Sequence, residues 1–432
     1  MKGIHWPARR CSAYRLHAGK RAPFGVGLLL LVPLASGGQA EPQPSRGKSA
    51  SPPESGPRVR ARKDTTVYWR PATVRPRRAL IEKDSVVALD GASQVAGPGC
   101  KANWAAVAGG GFLCLDDVES TTAAVHRVPR LVDEILPFTY VHRLDTIAYS
   151  YAYLPGEGAQ RSQLFRYGKP LDQSRYTLHK PSHFRGRNLK RNPVGRNLVP
   201  GWTVSADVPV YAAPTTKAKT VARLARHTPL QVSRQVAAPG WREVRDVDGQ
   251  RRLGFMKDNA SLRHWVAAAP VKGLADGETW LDIDVGQQMI ALRTMGSGPV
   301  YVSLVSSGLT ERASPLGTFR IQHKLAYRTM GNFPQSKDKY LIEKVPWVMY
   351  FLPKYAIHGA YWHNEFGNRR SHGCVNLTPY DARFIYDRVA PNQQPGFFKT
   401  FASDQAIGAV VRLRDSAQAK LSANPAPTRS EG

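Results

Sequence analysis

"IHGAYWHNEFGNRRSHGCVNL", residues 357–377, gathers three histidines, two arginines and a cysteine in one short run. A helix start follows it. Thr378 is a good N-cap, Pro379 suits the first helical position, and Asp381 is placed to complete a capping box. Ala382, Ile385, Tyr386 and Val389 then repeat at the spacing of one helical face. Cys374 therefore sits in a turn just ahead of a helix N-terminus, where oriented N–H groups favour a thiolate. Gly373 before it lets the backbone turn sharply and expose successive N–H groups, the donors that an oxyanion needs in acyl transfer.

A thiolate nucleophile needs a base, and His358, His363 and His372 are all close in sequence. Spacing does not choose among them. His372 is separated from Cys374 only by Gly373, an awkward geometry for in-line proton transfer. His358 ends the apparent strand "YAIHG" (residues 355–359) and could reach across a sheet. Two other readings compete. A zinc site built from His358, His363, His372 and Cys374 would lack the paired, short-spaced ligands of structural zinc. A buried, inert cysteine is the bland alternative, since free cysteine packs as a small hydrophobe.

Working outward, the surrounding chain alternates as strands do. In "TWLDIDVGQQMIALRT" (279–294), Leu281, Ile283 and Val285 alternate with Asp282 and Asp284, and Gly286-Gln287 marks a hairpin turn. "PVYVSLVSSG" (299–308) repeats the alternation, and "SPLGTFRI" (314–321) is a turn entering another strand. Residues 322–344 are polar and loop-like, a length expected of a lid. The apolar "VPWVMYF" (345–351) follows. These features delimit a strand-rich domain over 276–414 with a helix behind the cysteine, and a polar tail over 415–432.

The run His358-Gly359, a gap, then Ser371-His372-Gly373-Cys374, a hydrophobic residue and Asn376 resembles the signature of the L,D-transpeptidase (YkuD) family. "SPLGTFRI" resembles that family's upstream hallmark. Many members carry Arg where this chain has Asn376, and Asn is a recognised variant. The resemblance implies a β-rich catalytic domain performing cysteine acyl transfer on peptidoglycan, with no metal or cofactor. It makes Cys374 the nucleophile and His358 the proton donor and acceptor. The N–H groups around Gly373 and Cys374 would form the oxyanion hole, with Ser371, His372 and Asn376 positioning the loop. Residues 322–344 would be the flap over the acyl site. Water in place of the acceptor amine would make the same residues an L,D-carboxypeptidase. A non-catalytic wall-binding protein with a relic domain is the reading from another class, and intact Cys374 and His358 argue against it.

Upstream, two segments read as diverged copies. Val67-Tyr68, Trp104 and Gly111-Phe112 in the first answer to Val210-Tyr211, Trp241 and Gly254-Phe255 in the second. Each is a run of short alternating segments broken by Gly, Pro and Asp, as expected of a small antiparallel barrel. The pattern resembles bacterial SH3-like modules, placed at 65–118 and 201–262, serving as docking modules or spacers. Residues 41–64, rich in Pro, Ser and charge, read as a disordered linker. Residues 119–200 are an unclassified segment whose second half is strongly basic. The expected fold class is therefore mainly β with some α.

The first 40 residues read as an export signal: six basic residues and no acid, the apolar "FGVGLLLLVPL" (24–34), then small residues ending at Ala40. An uncleaved signal would be the one membrane contact. Periplasm or cell wall is the expected location. Formal charge is +29, and +23 without the six basic residues of the signal. Such an excess favours polyanions, and export favours an anionic wall surface over nucleic acid. Cys11 lies within the signal, leaving Cys100, Cys114 and Cys374. In an oxidising compartment the close pair Cys100–Cys114 can bridge and leave Cys374 as the odd thiol.

Overall fold

The structure, a computed structural model, describes residues 56–128, short segments between 138 and 195, and residues 197–332 and 340–417. The export segment, most of the 41–64 stretch and the tail beyond 417 lie outside the described residues. Strands dominate, and the α-helix among the described residues is the one behind the cysteine.

The first module contains β1 (Arg58–Ala61), β2 (Thr65–Tyr68), β3 (Arg77–Ile81), β4 (Val86–Val95), β5 (Trp104–Val107), β6 (Phe112–Cys114) and β7 (Val118–Ser120). Its strand order is β3-β2-β6-β5-β4-β1-β7. After β8 (Val141–Arg143), β9 (Tyr149–Tyr151), β10 (Tyr176–Leu178) and β11 (Arg187–Asn188) comes the second module. It comprises β12 (Leu198–Thr203), β13 (Val208–Tyr211), β14 (Thr220–Leu224), β15 (Pro229–Ala238), β16 (Trp241–Arg245), β17 (Arg252–Lys257) and β18 (Leu262–His264). Its order, β14-β13-β17-β16-β15-β12-β18, matches the first strand for strand.

The repeat extends to side chains. Tyr68 meets Trp104 edge-on at 5.8 Å, and Tyr211 meets Trp241 edge-on at 5.4 Å. Gly111 and Gly254 both have positive φ, and a Cβ there would strike the backbone oxygen of that same tyrosine, at 2.9 and 2.5 Å. Only glycine fits so close an approach. The first strand of the first copy lies outside the expected 65–118 bounds. β1 pairs with β4 and lies inside the stretch read as disordered linker, so the linker reading fails from Arg58 onward. Val59 and Ala61 supply the buried face that the charged composition of that stretch masks.

The C-terminal domain has two sheets. One runs β11-β21-β20-β19-β28-β22, built from β19 (Thr279–Asp284), β20 (Met289–Thr294), β21 (Gly298–Leu304), β22 (Gly317–Arg320) and β28 (Val410–Arg414). The other carries β23 (His323–Asn332), β24 (Tyr340–Leu352), β25 (Tyr355–Gly359), β26 (Val375–Leu377) and β27 (Lys399–Phe401). Helix α1 (Pro379–Tyr386) packs Ala382, Ile385 and Tyr386 into a core with Ile283, Leu292, Met349, Ile357 and Val375. Residues 322–344, expected as a polar loop, are largely β-hairpin: β23 and β24 pair antiparallel, with 333–339 outside the described residues. Leu325, Ile342, Val345 and Val348 give this hairpin a buried face.

Neither module is a spacer on a string. β3 pairs with β27, so the first module continues a sheet of the C-terminal domain. The second shares one apolar cluster with the C-terminal domain, in which Trp202, Val204 and Leu230 join Met289, Ala291, Val302, Leu304 and Phe366. The segment 119–200 is likewise recruited in part: β11 adds to β21, and Arg187 donates to the carbonyls of Leu230 and Val247 in the second module.

Asp282 and Asp284, which alternate with Leu281 and Ile283, are fully buried. Arg412 and Arg414 hold Asp282 at 2.8 and 3.1 Å, and Arg414 holds Asp284 at 2.7 Å. Arg293 and Arg412 also flank the Trp280 ring and donate to the carbonyls of Ala268 and Ala269. This network fastens the connection between the second module and the C-terminal domain. Buried charge is tolerable there because every carboxylate has a guanidinium.

Cys100 and Cys114 form a disulfide, and Cys374 is a free thiol. Among the described cysteines, non-reducing peptide mapping should link Cys100 to Cys114 and find Cys374 free to alkylate. Replacing both bridged cysteines by serine should lower the stability of the first module by ~3 kcal/mol, the chain-entropy value for a loop of this length. An unchanged melting curve would contradict it.

Candidate active site

Parallel pairing of β25 with β26 puts His358 opposite Asn376, and so beside Cys374, which immediately precedes β26. Both residues line one cavity of about 280 Å³ with Met330, Tyr340, Ile342, Trp362, Arg370, Ser371, His372 and Asn376. The strand ends and the turn before α1 therefore converge on the sulfur.

The cysteine loop is held from below. Ser306 exchanges two backbone hydrogen bonds with Asn376, each 2.9 Å, and the Ser307 carbonyl accepts from the N–H groups of Arg370 and Ser371. Ser314, in the upstream "SPLGTFRI" motif, donates from Oγ to the Gly373 carbonyl at 2.8 Å. Its Oγ also accepts from Gly308 N–H at 3.0 Å. Gly373 itself has φ 115°, and a Cβ would lie 2.7 Å from the Tyr355 ring. The two motifs far apart in sequence thus meet at one carbonyl. Ser306, Ser307 and Gly308, which do much of this fastening, carried no sequence signal beyond a polar strand end.

Of the three histidines, His358 is the one whose environment suits a base. It is 3% exposed, and its ring stacks on Trp362 at 5.8 Å. Nδ1 lies 3.2 Å from the Gly359 carbonyl, so Nδ1–H donates there and Nε2 carries the lone pair. Burial pushes its pKa down to about 4, with the Gly359 bond opposing the shift. His358 is therefore neutral at neutral pH. His372 is exposed and lies against the Tyr340 ring at 4.9 Å. His363 accepts from the Glu365 N–H at Nδ1, 3.1 Å, and its Nε2 is 3.0 Å from the Asn376 amide.

Three details differ from the sequence expectations. Cys374 is not acidified on balance: burial pushes the thiol up, and a hydrogen bond from the Ala356 backbone only partly offsets this. Gly373 N–H donates to Ser371 Oγ at 3.0 Å, so the backbone donor left beside the sulfur is that of Cys374. Ser371 Oγ in turn donates to the Cys374 carbonyl, closing the turn on itself. Asp381 does not reach back as a capping box. Thr378 Oγ1 caps its N–H at 3.1 Å, while its carboxylate, buried in the core, accepts from Tyr301, Ser303 and the Gly186 N–H. As for zinc, among the described residues His358, His363, His372 and Cys374 are not a group whose donor atoms lie together at ligating distance.

Residues 278–398 match the family model described as the L,D-transpeptidase catalytic domain, YkuD. This chain carries a YkuD-type L,D-transpeptidase domain. Residues 204–251 match the bacterial SH3 domain, within the second module. A curated relative, "Putative L,D-transpeptidase YciB" of Bacillus subtilis (strain 168), is 24% identical over 135 residues, 26% of this chain. The chain spans 60% of the length of that relative. Among solved structures, an L,D-transpeptidase from Mycobacterium smegmatis is 17% identical, covering 49% of this chain and 94% of its own, with a TM-score of 0.26. The catalytic domain of the Enterococcus faecium L,D-transpeptidase is 19% identical over 32% of this chain and 98% of its own, with a TM-score of 0.25. Within the transpeptidase domain, His358 and Cys374 are the pair that the parallel strands bring to the cavity.

A neutral His358 and a raised thiol predict how Cys374 titrates. Thiolate-dependent alkylation by iodoacetamide should be slower at pH 7 than that of free cysteine. It should rise about tenfold per pH unit through pH 8, since only the thiolate reacts. A rate that is flat from pH 5 to 8 would reveal a standing thiolate–imidazolium pair and contradict this electrostatic description.

Proposed function

We propose that this chain is a peptidoglycan L,D-transpeptidase of the cell envelope. One observation carries the reading: an unprotonated Nε2 of His358 and a free thiol at Cys374 line the same cavity. In this mechanism the substrate carbonyl is the one joining the third residue of a stem tetrapeptide to its terminal D-alanine. As Cys374 Sγ attacks that carbon, His358 Nε2 takes the thiol proton. Charge develops on the carbonyl oxygen, where the Cys374 N–H is the available backbone donor. The tetrahedral centre collapses, the C–N bond breaks, and His358 returns the proton to the departing amine of D-alanine. A thioester remains on Cys374. The side-chain amine of a neighbouring stem peptide then attacks the thioester, gives its proton to His358, and expels the thiol to complete the cross-link. Water in the second step would release a tripeptide instead.

The export segment and the formal charge of +29 support action at an anionic wall in the periplasm or outside it. Association with isolated sacculi should weaken as salt rises, because exposed charge is screened over about 8 Å at physiological ionic strength.

Incubating the protein with disaccharide-tetrapeptides and weighing the products tests the reading. Cross-linked dimers and free D-alanine are expected. Cys374→Ala and His358→Ala should each reduce product by at least about a hundredfold, the lower range for losing a nucleophile or its base. Tripeptide without dimer would make it a carboxypeptidase. Full activity in Cys374→Ala would refute the mechanism.

A further inference from the structure

The face of the sheet that carries the nucleophile continues into the first module. Antiparallel pairing sets Ala356 of β25 opposite Tyr350 of β24, Tyr350 opposite His323 of β23, and His323 opposite Phe401 of β27. Residues paired in this way share one face of a sheet. Ala356 joins Cys374 and Tyr350 in one apolar cluster, and β3 of the first module pairs with the far edge of β27. With neighbouring strands about 4.8 Å apart, the row runs roughly 19 Å from the cysteine side to the module.

The outer half of this row is cationic. The Arg77 guanidinium lies over the Phe401 ring at 4.6 Å, and the Lys399 ammonium lies over the same ring at 4.5 Å. Arg328 lies over the Tyr350 ring at 5.6 Å, and His323 stacks on that ring at 4.8 Å. Among the described residues no carboxylate pairs with Arg77, Arg328 or Lys399, and none of the three heads donates a hydrogen bond to a protein acceptor. Burial, Arg328 and Arg77 pull Lys399 down to about 8. Burial, Lys399 and Arg328 pull His323 down to about 4. Cations gathered without a counter-charge make a positive potential that a bound anion relieves. Both rings already carry cationic partners, which leaves charge, and not base stacking, as the means of recognition. Heads spread over β3, β27 and β23 suit a chain of repeated anionic groups better than a single ion.

We propose that Arg77, Lys399 and Arg328 form a docking surface for a peptidoglycan strand, gripping carboxylates of stem peptides next to the one held at Cys374. Its continuity with the nucleophile on one sheet face is what selects this occupant. The inference rests on the transpeptidase reading for the identity of the strand. The surface is composite: Arg77 comes from the first module, and the other two heads come from the C-terminal domain.

Binding is measured in the Cys374→Ala protein by the anisotropy of fluorescein-labelled peptidoglycan strands that carry tetrapeptide stems and are stripped of attached phosphate polymers. The unaltered surface should hold these strands at least about tenfold more tightly than the combined Arg77→Gln, Lys399→Gln and Arg328→Gln variant, the loss expected for charge-assisted contacts. Strands whose stem carboxylates are amidated should bind both proteins equally weakly. Lys399→Arg should keep the affinity that Lys399→Gln loses, a contrast that stands even if the triple variant fails to fold. In the active protein the three substitutions should raise KM for the strands. They should leave kcat, and both constants for the disaccharide-tetrapeptide, unchanged. Unchanged strand affinity in the variants, equal binding of amidated and native strands to the unaltered surface, or an equal rise in KM for the disaccharide-tetrapeptide would overturn the proposal. So would strand binding that disappears once the phosphate polymers are stripped. Strands held by these three residues without cross-linking or release of D-alanine would overturn the transpeptidase reading and leave the docking surface standing.

Discussion

The active site depends on one register. β25 and β26 are short strands of three to five residues, and their parallel pairing sets His358 opposite Asn376. A shift of one residue would send His358 to the other face and separate it from Cys374. Two strands this short do not hold a register unaided. Side-chain and backbone bonds from Ser306, Ser307, Ser314 and Ser371 supply the missing constraint, each ending on the cysteine loop. Helix α1 then closes the loop from the other side, pinned by Asp381 to Tyr301 and Ser303.

Electrostatics follow from that enclosure. Burial disfavours charge on both reacting groups, so the resting pair is a neutral thiol and a neutral imidazole. In the proposed mechanism charge appears only as the reaction proceeds, in a cavity whose lining carries one fixed charge, Arg370. Elsewhere the fold treats buried charge differently. Asp282 is surrounded by arginines, and Lys324, its pKa lowered to about 7 by burial, caps the carbonyls of Tyr386 and Val389 beyond α1. These groups hold elements together. The large positive charge of the chain is a property of its surface and termini and does not describe the site.

Much of this was legible because the residues concerned act locally. Gly373 before Cys374, the Thr378-Pro379 helix start and the hairpin at Gly286 are short-range signals, and each appears in the structure as an element or a turn. The internal repeat was legible through Tyr–Trp pairs and glycines that the module geometry demands. Features set by distant partners were not. The burial of Asp282 and Asp284 rests on arginines about 130 residues away. The hairpin over the site read as a loop because its buried face meets aromatic residues from other elements. The Gly373 N–H looked available until the fold aimed Ser371 Oγ at it. Arg370 carried no signal in the quoted run, because only the fold brings it to the cavity wall.

The central claim is that Cys374, activated by His358, is the acylated nucleophile. A β-lactam ring is a strained acyl donor, so the most direct measurement is the intact mass of the protein after exposure to a carbapenem. The account predicts a single covalent adduct on the wild-type chain, localised by peptide mapping to Cys374, and none on Cys374→Ala. An adduct of the same mass on Cys374→Ala, or no adduct on the wild-type protein, would contradict it.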